Sequence, residues 1–159
     1  MKLTADHLEQ TVRQALPLLE QIAEEKASLR PAANKWSPKE ILGHLIDSAA
    51  NNQQKFVRCM EHNGVIFPGY AQDFWVATQA YNAASWTQLL GLWEHYNYHI
   101  AHIIRHIPEA ALANTITIGG SGTFTLGFIV KDYPEHLKHH LKSIFPGAAF
   151  LSNEFKMVY

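Results

Sequence analysis

The chain has 159 residues, of which 47% are hydrophobic, and its formal net charge is -1 with its histidines neutral. A chain of this length and composition can bury a sizeable core, so we expect a single domain over residues 1–159. The balanced charge, without a long run of lysine and arginine, gives no reason to expect nucleic acid or a membrane surface as a partner. A small molecule is the expected ligand.

The N-terminal stretch MKLTADHLEQTVRQ lacks the apolar region of a signal peptide, and no window approaches the roughly 18 uninterrupted apolar residues of a membrane span. We therefore expect a cytoplasmic protein. Its one cysteine, Cys59, cannot form an internal disulfide or a cysteine-based zinc site. Its position in an apolar helical pattern is typical of a small buried side chain.

Two helices are predicted in the first part of the chain. The spacing of apolar residues predicts the first over residues 4–29, with a kink at Pro17. The second is expected over residues 38–61, because SPKE at residues 37–40 is a capping box. It places a serine N-cap, a proline at the first helical position and a glutamate at the third.

Residues 63–84 form a long connection that includes the stretch PGYAQDFW. Long loops inside a compact domain are often functional. Two interpretations of its aromatic residues stay open, a lid packed on the helices and contact with a substrate. The aromatic residues are Phe67, Tyr70, Phe74, Trp75 and Tyr81.

The rest of the chain contains two more helical patterns. SWTQ at residues 85–88 repeats the capping signal and begins a third helix, which stops before Pro108. TITI and TFTL flank GGSG and predict a short hairpin. A fourth helix is expected over residues 126–145, where Pro134 removes one backbone hydrogen bond and bends the helix. The predicted fold is all-α, a four-helix bundle with a long crossover loop and a short β-hairpin before the last helix.

The fourth helix contains HLKHH at residues 136–140. At about 100° per residue, His136 and His140 lie about 40° apart at the edge of the buried face, whereas His139 lies about 60° the other way and should face solvent. Neutral imidazole binds zinc, nickel and copper, and an i, i+4 pair supplies two ligands from one helix. His136 and His140 are therefore candidate metal ligands.

The same spacing occurs twice on the third helix, as His95 with His99 and His102 with His106. All four flank the apolar stripe of that helix, so a histidine-rich flank explains them without an ion. The alternative is that His99 or His102 contributes a hydrogen bond to a metal ligand. On the second helix, spacing alone makes His44 more typical of a hydrogen-bonded residue at the core edge than of a ligand.

KWSPKEILGHLIDSAANN at residues 35–52 and DYPEHLKHHLKSI at residues 132–144 resemble the DinB-like family of bacterial four-helix proteins. PGYAQDFW and the LW…YN…H pattern of the third helix extend the similarity over nearly the whole chain. The resemblance implies that one divalent metal ion, zinc or nickel, is held by a histidine on the second helix and an H-x-x-x-H pair on the fourth. Here these are His44, His136 and His140.

One departure from the family pattern is Pro134, because a bend there affects the direction of His136. Three neutral histidines leave coordination positions open for water or substrate, as in catalytic rather than structural sites. The resemblance implies a metal-dependent enzyme that activates a small thiol or water against a small electrophilic substrate, as the family's low-molecular-weight thiol transferases do. A metal-dependent hydrolase and a non-catalytic metal-binding or stress-response module are the alternatives. Family members also commonly pair, so we expect a homodimer.

Polar residues follow His44 on or near its helix face: Ser48, Asn51, Asn52 and Lys55. A purely structural site would not need them, although the solvated edge of an amphipathic helix would also contain such residues. No general base can be assigned, because spacing does not place the candidate carboxylates. These are Asp47, Asp73, Asp132 and Glu135.

Overall fold

The computed structural model describes residues 1–152. Four long helices form the bundle, with α1 and α3 each packed against both α5 and α6. The helices are α1 (Lys2–Glu20), α2 (Glu24–Ala27), α3 (Pro38–Glu61), α4 (Gln72–Thr78), α5 (Trp86–Arg105) and α6 (Leu126–Ile144). The strands are β1 (Val65–Phe67), β2 (Thr115–Ile118) and β3 (Gly122–Thr125). No helix within residues 1–152 is both long and apolar enough to cross a membrane.

Helix α3 begins and ends where the sequence predicts. The Ser37 hydroxyl accepts a hydrogen bond from the Glu40 backbone N–H at 3.2 Å, and the Glu40 carboxylate accepts one from the Ser37 N–H at 2.8 Å. Both partners of the capping box are therefore satisfied, with Pro38 at the first helical position. This fixed start sets the rotation of the helix and directs His44 toward the core.

The first helix ends earlier than predicted, at Glu20, and α2 is a separate short helix. The Leu19 carbonyl accepts hydrogen bonds from the Ile22 N–H at 3.0 Å and from the indole N–H of Trp86 at 3.1 Å. The Glu24 carboxylate in turn accepts a bond from the Trp86 backbone N–H at 2.9 Å. Contacts with a residue far along the chain therefore end the helix where the local apolar spacing continues.

The predicted hairpin is present as the antiparallel pair β2 and β3, but it belongs to a three-stranded sheet. Strand β1, which the sequence analysis missed, pairs in parallel with β2 and brings the long connection against the hairpin. The two segments also meet at Gly69 and Gly119. A Cβ atom at Gly69 would lie 2.4 Å from the Gly119 carbonyl oxygen, so a side chain there would clash with the hairpin.

Tyr133 on α6 connects three of the long helices. Its ring meets Phe56 of α3 edge-on at 6.1 Å, and its hydroxyl donates to the Asn97 side chain of α5 at 2.7 Å. Pro134 follows it inside α6, which continues through Ile144. Cys59 is buried as predicted. These contacts fix the position of α6 relative to α3, which matters because the candidate ligands lie on these two helices.

Candidate metal centre

Three histidine side chains meet between α3 and α6. His44 Nε2 lies 3.4 Å from His136 Nε2 and 3.2 Å from His140 Nε2. One ring nitrogen from each histidine lies within 4.8 Å of the other two, and no other such group of three or more His, Cys, Asp or Glu side chains is found in residues 1–152. Pro134 therefore does not turn His136 away from its neighbours.

The three imidazoles are neutral near pH 7. Burial lowers the pKa of His44 to about 4 and, with help from the neighbouring histidines, that of His140 to about 3. Burial and the adjacent rings also hold the pKa of His136 well below its ordinary value. Three nitrogens this close cannot each carry a proton toward the common centre, so lone pairs converge there. Neutral rings with converging lone pairs are what a metal ion requires.

The spacing of the nitrogen atoms fits a divalent transition metal. With metal–nitrogen bonds of about 2.0–2.1 Å and tetrahedral angles, two ligand nitrogens lie about 3.3–3.4 Å apart. The distances from His44 Nε2, 3.4 and 3.2 Å, are close to that value. An all-imidazole ligand set suits zinc and nickel rather than magnesium or calcium, which prefer oxygen.

Polar residues of α3 orient one of the rings. His136 Nδ1 lies 3.3 Å from the Ser48 hydroxyl, and the Asn52 amide donates to that hydroxyl at 3.2 Å. When Nε2 of His136 faces the other histidines as a lone pair, Nδ1 carries the proton and donates it to Ser48. Ser48, Asn52 and Lys55 are all buried, so the solvated-edge interpretation is wrong for these three residues.

Trp36 covers two of the histidines and was not singled out from the sequence. Its ring centroid lies 5.1 Å from that of His44 and 6.2 Å from that of His140. The residue immediately precedes the N-cap Ser37, and an apolar residue at this position often packs against the following helix. That position was the signal that could have identified Trp36.

A cavity of about 210 Å³ extends from His44 and His136 along α3 and α6. Its wall includes Tyr70 from the long connection and the stacked rings of Phe124 and Phe128, whose centroids are 5.3 Å apart. Small-molecule sites commonly combine such an apolar wall with a few placed polar groups. The three histidines thus lie at the side of a space that can hold a small ligand.

A model of the DinB superfamily matches residues 7–144. The chain belongs to the DinB superfamily. No match was found among curated proteins.

Two solved structures show the same fold. YfiT from Bacillus subtilis, a probable metal-dependent hydrolase with an unusual four-helix bundle topology, is 16% identical, with a TM-score of 0.80 over 90% of this chain and 82% of YfiT. A mycothiol-dependent maleylpyruvate isomerase is 13% identical, with a TM-score of 0.68 over 92% of this chain. This DinB chain spans 57% of the isomerase. At these identities the similarity establishes the fold.

The candidate carboxylates of this DinB protein have different surroundings, and only Asp132 lines the cavity. Asp47 accepts hydrogen bonds from the Tyr81 hydroxyl at 2.7 Å and the Gln79 amide at 2.9 Å, which hold the long connection on α3. Glu135 pairs with Lys138 at 2.7 Å. Asp73 is exposed on α4.

The aromatic residues of the long connection divide between the two interpretations offered for them. Tyr81 is buried against α3 and has a packing role, whereas Tyr70 lines the cavity. Phe74 and Trp75 are exposed. Packing on the helices therefore fits Tyr81, whereas Tyr70 is placed where a ligand in the cavity would contact it.

His95, His99 and His102 of α5 and its C-cap residue His106 are exposed and do not line the cavity. His95 Nδ1 lies 2.8 Å from the Gly91 carbonyl, and His106 Nδ1 lies 2.7 Å from the His102 carbonyl, so these rings contact their own helix. His99 faces Gln53 at 3.5 Å. The interpretation of a histidine-rich flank fits this DinB structure, and a supporting role for His99 or His102 at the three histidines does not.

Proposed function

We propose that His44, His136 and His140 bind one divalent metal ion, zinc or nickel. We further propose that the protein is a metal-dependent enzyme that activates a small thiol against a small electrophilic substrate in the adjoining cavity. The observation that carries this proposal is the convergence of three neutral imidazoles beside that cavity. A divalent ion there would lower the pKa of a thiol or water molecule and polarise a carbonyl group.

The protein's own residues would hold and shield the reacting groups. Ser48 keeps His136 in the tautomer that presents Nε2 to the centre. Trp36 packs over His44 and His140 on one side, while Phe124 and Phe128 form an apolar wall of the cavity that would reduce the access of water to a bound ligand. Exclusion of water strengthens electrostatic interactions with a thiolate and suppresses competing hydrolysis.

The choice of a thiol rests on the similarity to the mycothiol-dependent isomerase. We also propose a cytoplasmic location, where small thiols stay reduced. Hydrolysis by activated water is the second candidate, because YfiT is described as a probable metal-dependent hydrolase. We also propose a homodimer, as expected for this family.

Titration of cobalt-substituted protein with cysteine, glutathione and 2-mercaptoethanol tests the proposal. The expected result is a sulfur-to-cobalt charge-transfer band, followed by metal-dependent conjugation of an electrophile such as chlorodinitrobenzene. His140→Ala should lose both signals, and His139→Ala, in which only an exposed ring is removed, should retain them. Metal-dependent cleavage of an ester or amide panel without a thiol band would favour the hydrolase. Absence of both thiol conjugation and ester or amide cleavage would favour a non-catalytic metal-binding module.

A further inference from the structure

The cavity contains a buried lysine that the proposed chemistry does not use. Lys55 on α3 is 8% exposed and lines the cavity. Its ammonium group lies 5.7 Å from the centroid of the Phe67 ring and has no hydrogen bond or ion pair with another residue in 1–152. The side chain is therefore more than nine-tenths buried and leaves its three donors available to a ligand.

A lysine in this position is costly unless something compensates its charge. Burial lowers the pKa of Lys55, and the carboxylate of Asp132, which lines the same cavity, acts in the opposite direction. Lys55 and His136 both line this cavity, so the two side chains border a common space.

The position of Lys55 along α3 sets the length of a ligand that could reach both ends of the cavity. His44, Ser48, Asn52 and Lys55 follow one another at intervals of four, four and three residues, so they share one face of the helix. Eleven residues separate His44 from Lys55, which is about 16 Å along the helix axis. The Lys55 side chain can shorten that distance by several ångströms, but the two ends remain well separated.

The two ends of the cavity call for different chemical groups. At the histidine end, the expected ligand group is a donor atom that binds a metal ion. At the lysine end it is an anion, because an ammonium group binds a carboxylate through charge-assisted hydrogen bonds. The lining of the cavity also includes Phe124, Phe128 and Ile129, which suit an apolar chain. An elongated molecule with a donor at one end and a carboxylate at the other matches this arrangement.

We propose that Lys55 is a specificity-determining residue that binds the carboxylate of an elongated small molecule whose other end lies at His44, His136 and His140. This inference rests on the proposed function, because the group expected to bind at the three histidines is the thiol. The site accordingly selects thiols with a distant carboxylate over neutral thiols of equal length.

Matched pairs of thiols test the inference with a binding readout. Cobalt-loaded protein is titrated with 8-mercaptooctanoate and 8-mercaptooctanol, and then with 3-mercaptopropionate and 3-mercaptopropanol, with affinity measured from the charge-transfer band and by calorimetry. The long acid should bind about tenfold to a hundredfold more tightly than the long alcohol, as expected for a charge-assisted bond inside a cavity. The short pair should differ less, because a short chain does not reach Lys55.

Variants identify the responsible side chain. Lys55→Met should remove the preference for the long acid while keeping the affinity for the long alcohol, the cobalt content and the helical circular dichroism. Lys55→Arg, which keeps the charge, should retain the preference even if its affinity falls. Lys131→Met is the matched control, because Lys131 lies exposed on α6, and it should behave like the unaltered protein.

Failure of this inference can be distinguished from failure of the proposed function. Equal affinity for the long acid and alcohol, or an unchanged preference in Lys55→Met, would overturn the role of Lys55 while leaving thiol binding intact. If no thiol produces a band, the thiol proposal fails and octanedioate is compared with octanoate by calorimetry. Tighter binding of octanedioate that is lost in Lys55→Met supports the anion site, and equal binding overturns it.

Discussion

Neighbouring residues 139 and 140 on α6 have contrasting surroundings because one residue corresponds to a rotation of about 100°. His140 faces His44 at 3.2 Å, whereas His139 is exposed. We predict that His44→Ala or His140→Ala loses most of the bound divalent metal, since two imidazoles hold an ion far less tightly than three. Elemental analysis of purified, dialysed protein measures this, against an expectation of close to one ion per chain for the unaltered protein.

His139→Ala is the control for these variants and should keep its metal. It removes an imidazole whose ring centroid is only 5.2 Å from that of His140, so it tests direction rather than proximity. If His139→Ala lost its metal while His140→Ala kept it, the assignment of ligands from their directions on the helix would be wrong.

The buried histidines also predict how stability depends on pH in the metal-free protein. Their pKa values in the folded state are depressed, to about 4 for His44 and about 3 for His140. As pH falls below about 6.5, the unfolded chain binds protons on these rings and the folded protein does not, so the free energy of unfolding decreases. The loss reaches about 3 kcal/mol for His44 alone by pH 4.

Urea unfolding with a chelator present, from pH 7.5 down to pH 5, measures this dependence. The free energy of unfolding should fall with pH, and His44→Gln should show a shallower fall because one depressed histidine is absent. A flat profile in the unaltered protein would mean that the rings are solvated once metal is removed.

At the scale of the elements, local chemistry was predictable and long-range contacts were not. The start of α3 follows from Ser37 and Glu40, which lie three residues apart and satisfy each other. The end of α1 instead depends on Trp86, which is 67 residues from its partner Leu19. Strand β1 has only three residues and pairs with β2 far along the chain, so its local sequence contains too little to identify it.

The fit between α3 and the long connection depends on Gly43. A Cβ atom at this position would lie 2.2 Å from ring carbons of Tyr81, whose hydroxyl is held by Asp47. We predict that Gly43→Ala decreases the free energy of unfolding by about 1–3 kcal/mol, because the ring cannot move without breaking that bond. Urea unfolding measures the change, provided the slope with denaturant stays constant.

Gly91 on α5 provides a matched control for Gly43, because nothing lies within 4 Å of a Cβ atom there. Gly91→Ala should increase the free energy of unfolding by about 0.5–1 kcal/mol through the higher helix propensity of alanine. If Gly43→Ala were equally stabilising, Tyr81 could not be packed on α3 as described.

The exposed histidines of α5 give a second prediction at this scale. Replacing His95 and His106 together by alanine should leave the metal content unchanged, since both rings contact backbone carbonyls of their own helix. Elemental analysis alongside His44→Ala provides the comparison. Loss of the ion from the double variant would move the metal site to another pair of helices.

At the scale of the whole molecule, the cavity is assembled from segments that are distant in the sequence. Its lining comes from α3, the long connection, the hairpin and α6. The sequence identified the candidate ligands because the i, i+4 spacing on α6 is local and the family resemblance supplied His44. It did not show that Lys55 is enclosed, because that lysine is buried only when β1 and α6 pack near α3.

Assembly into a homodimer is the last prediction, and β1 is a surface that could support it. This strand lies at one edge of the sheet, and its Ile66 side chain is 85% exposed. Exposed apolar residues taken singly carry little meaning, but an edge strand with unpaired backbone groups can pair with a second copy.

We predict a sedimentation mass of two 18.0 kDa chains at micromolar concentration. Ile66→Lys should shift the mass toward one chain, whereas Leu3→Lys, which alters an equally exposed residue at 84% on α1, should not. A mass of one chain for the unaltered protein would exclude the dimer, and a dimer that Ile66→Lys leaves intact would place the interface on another face.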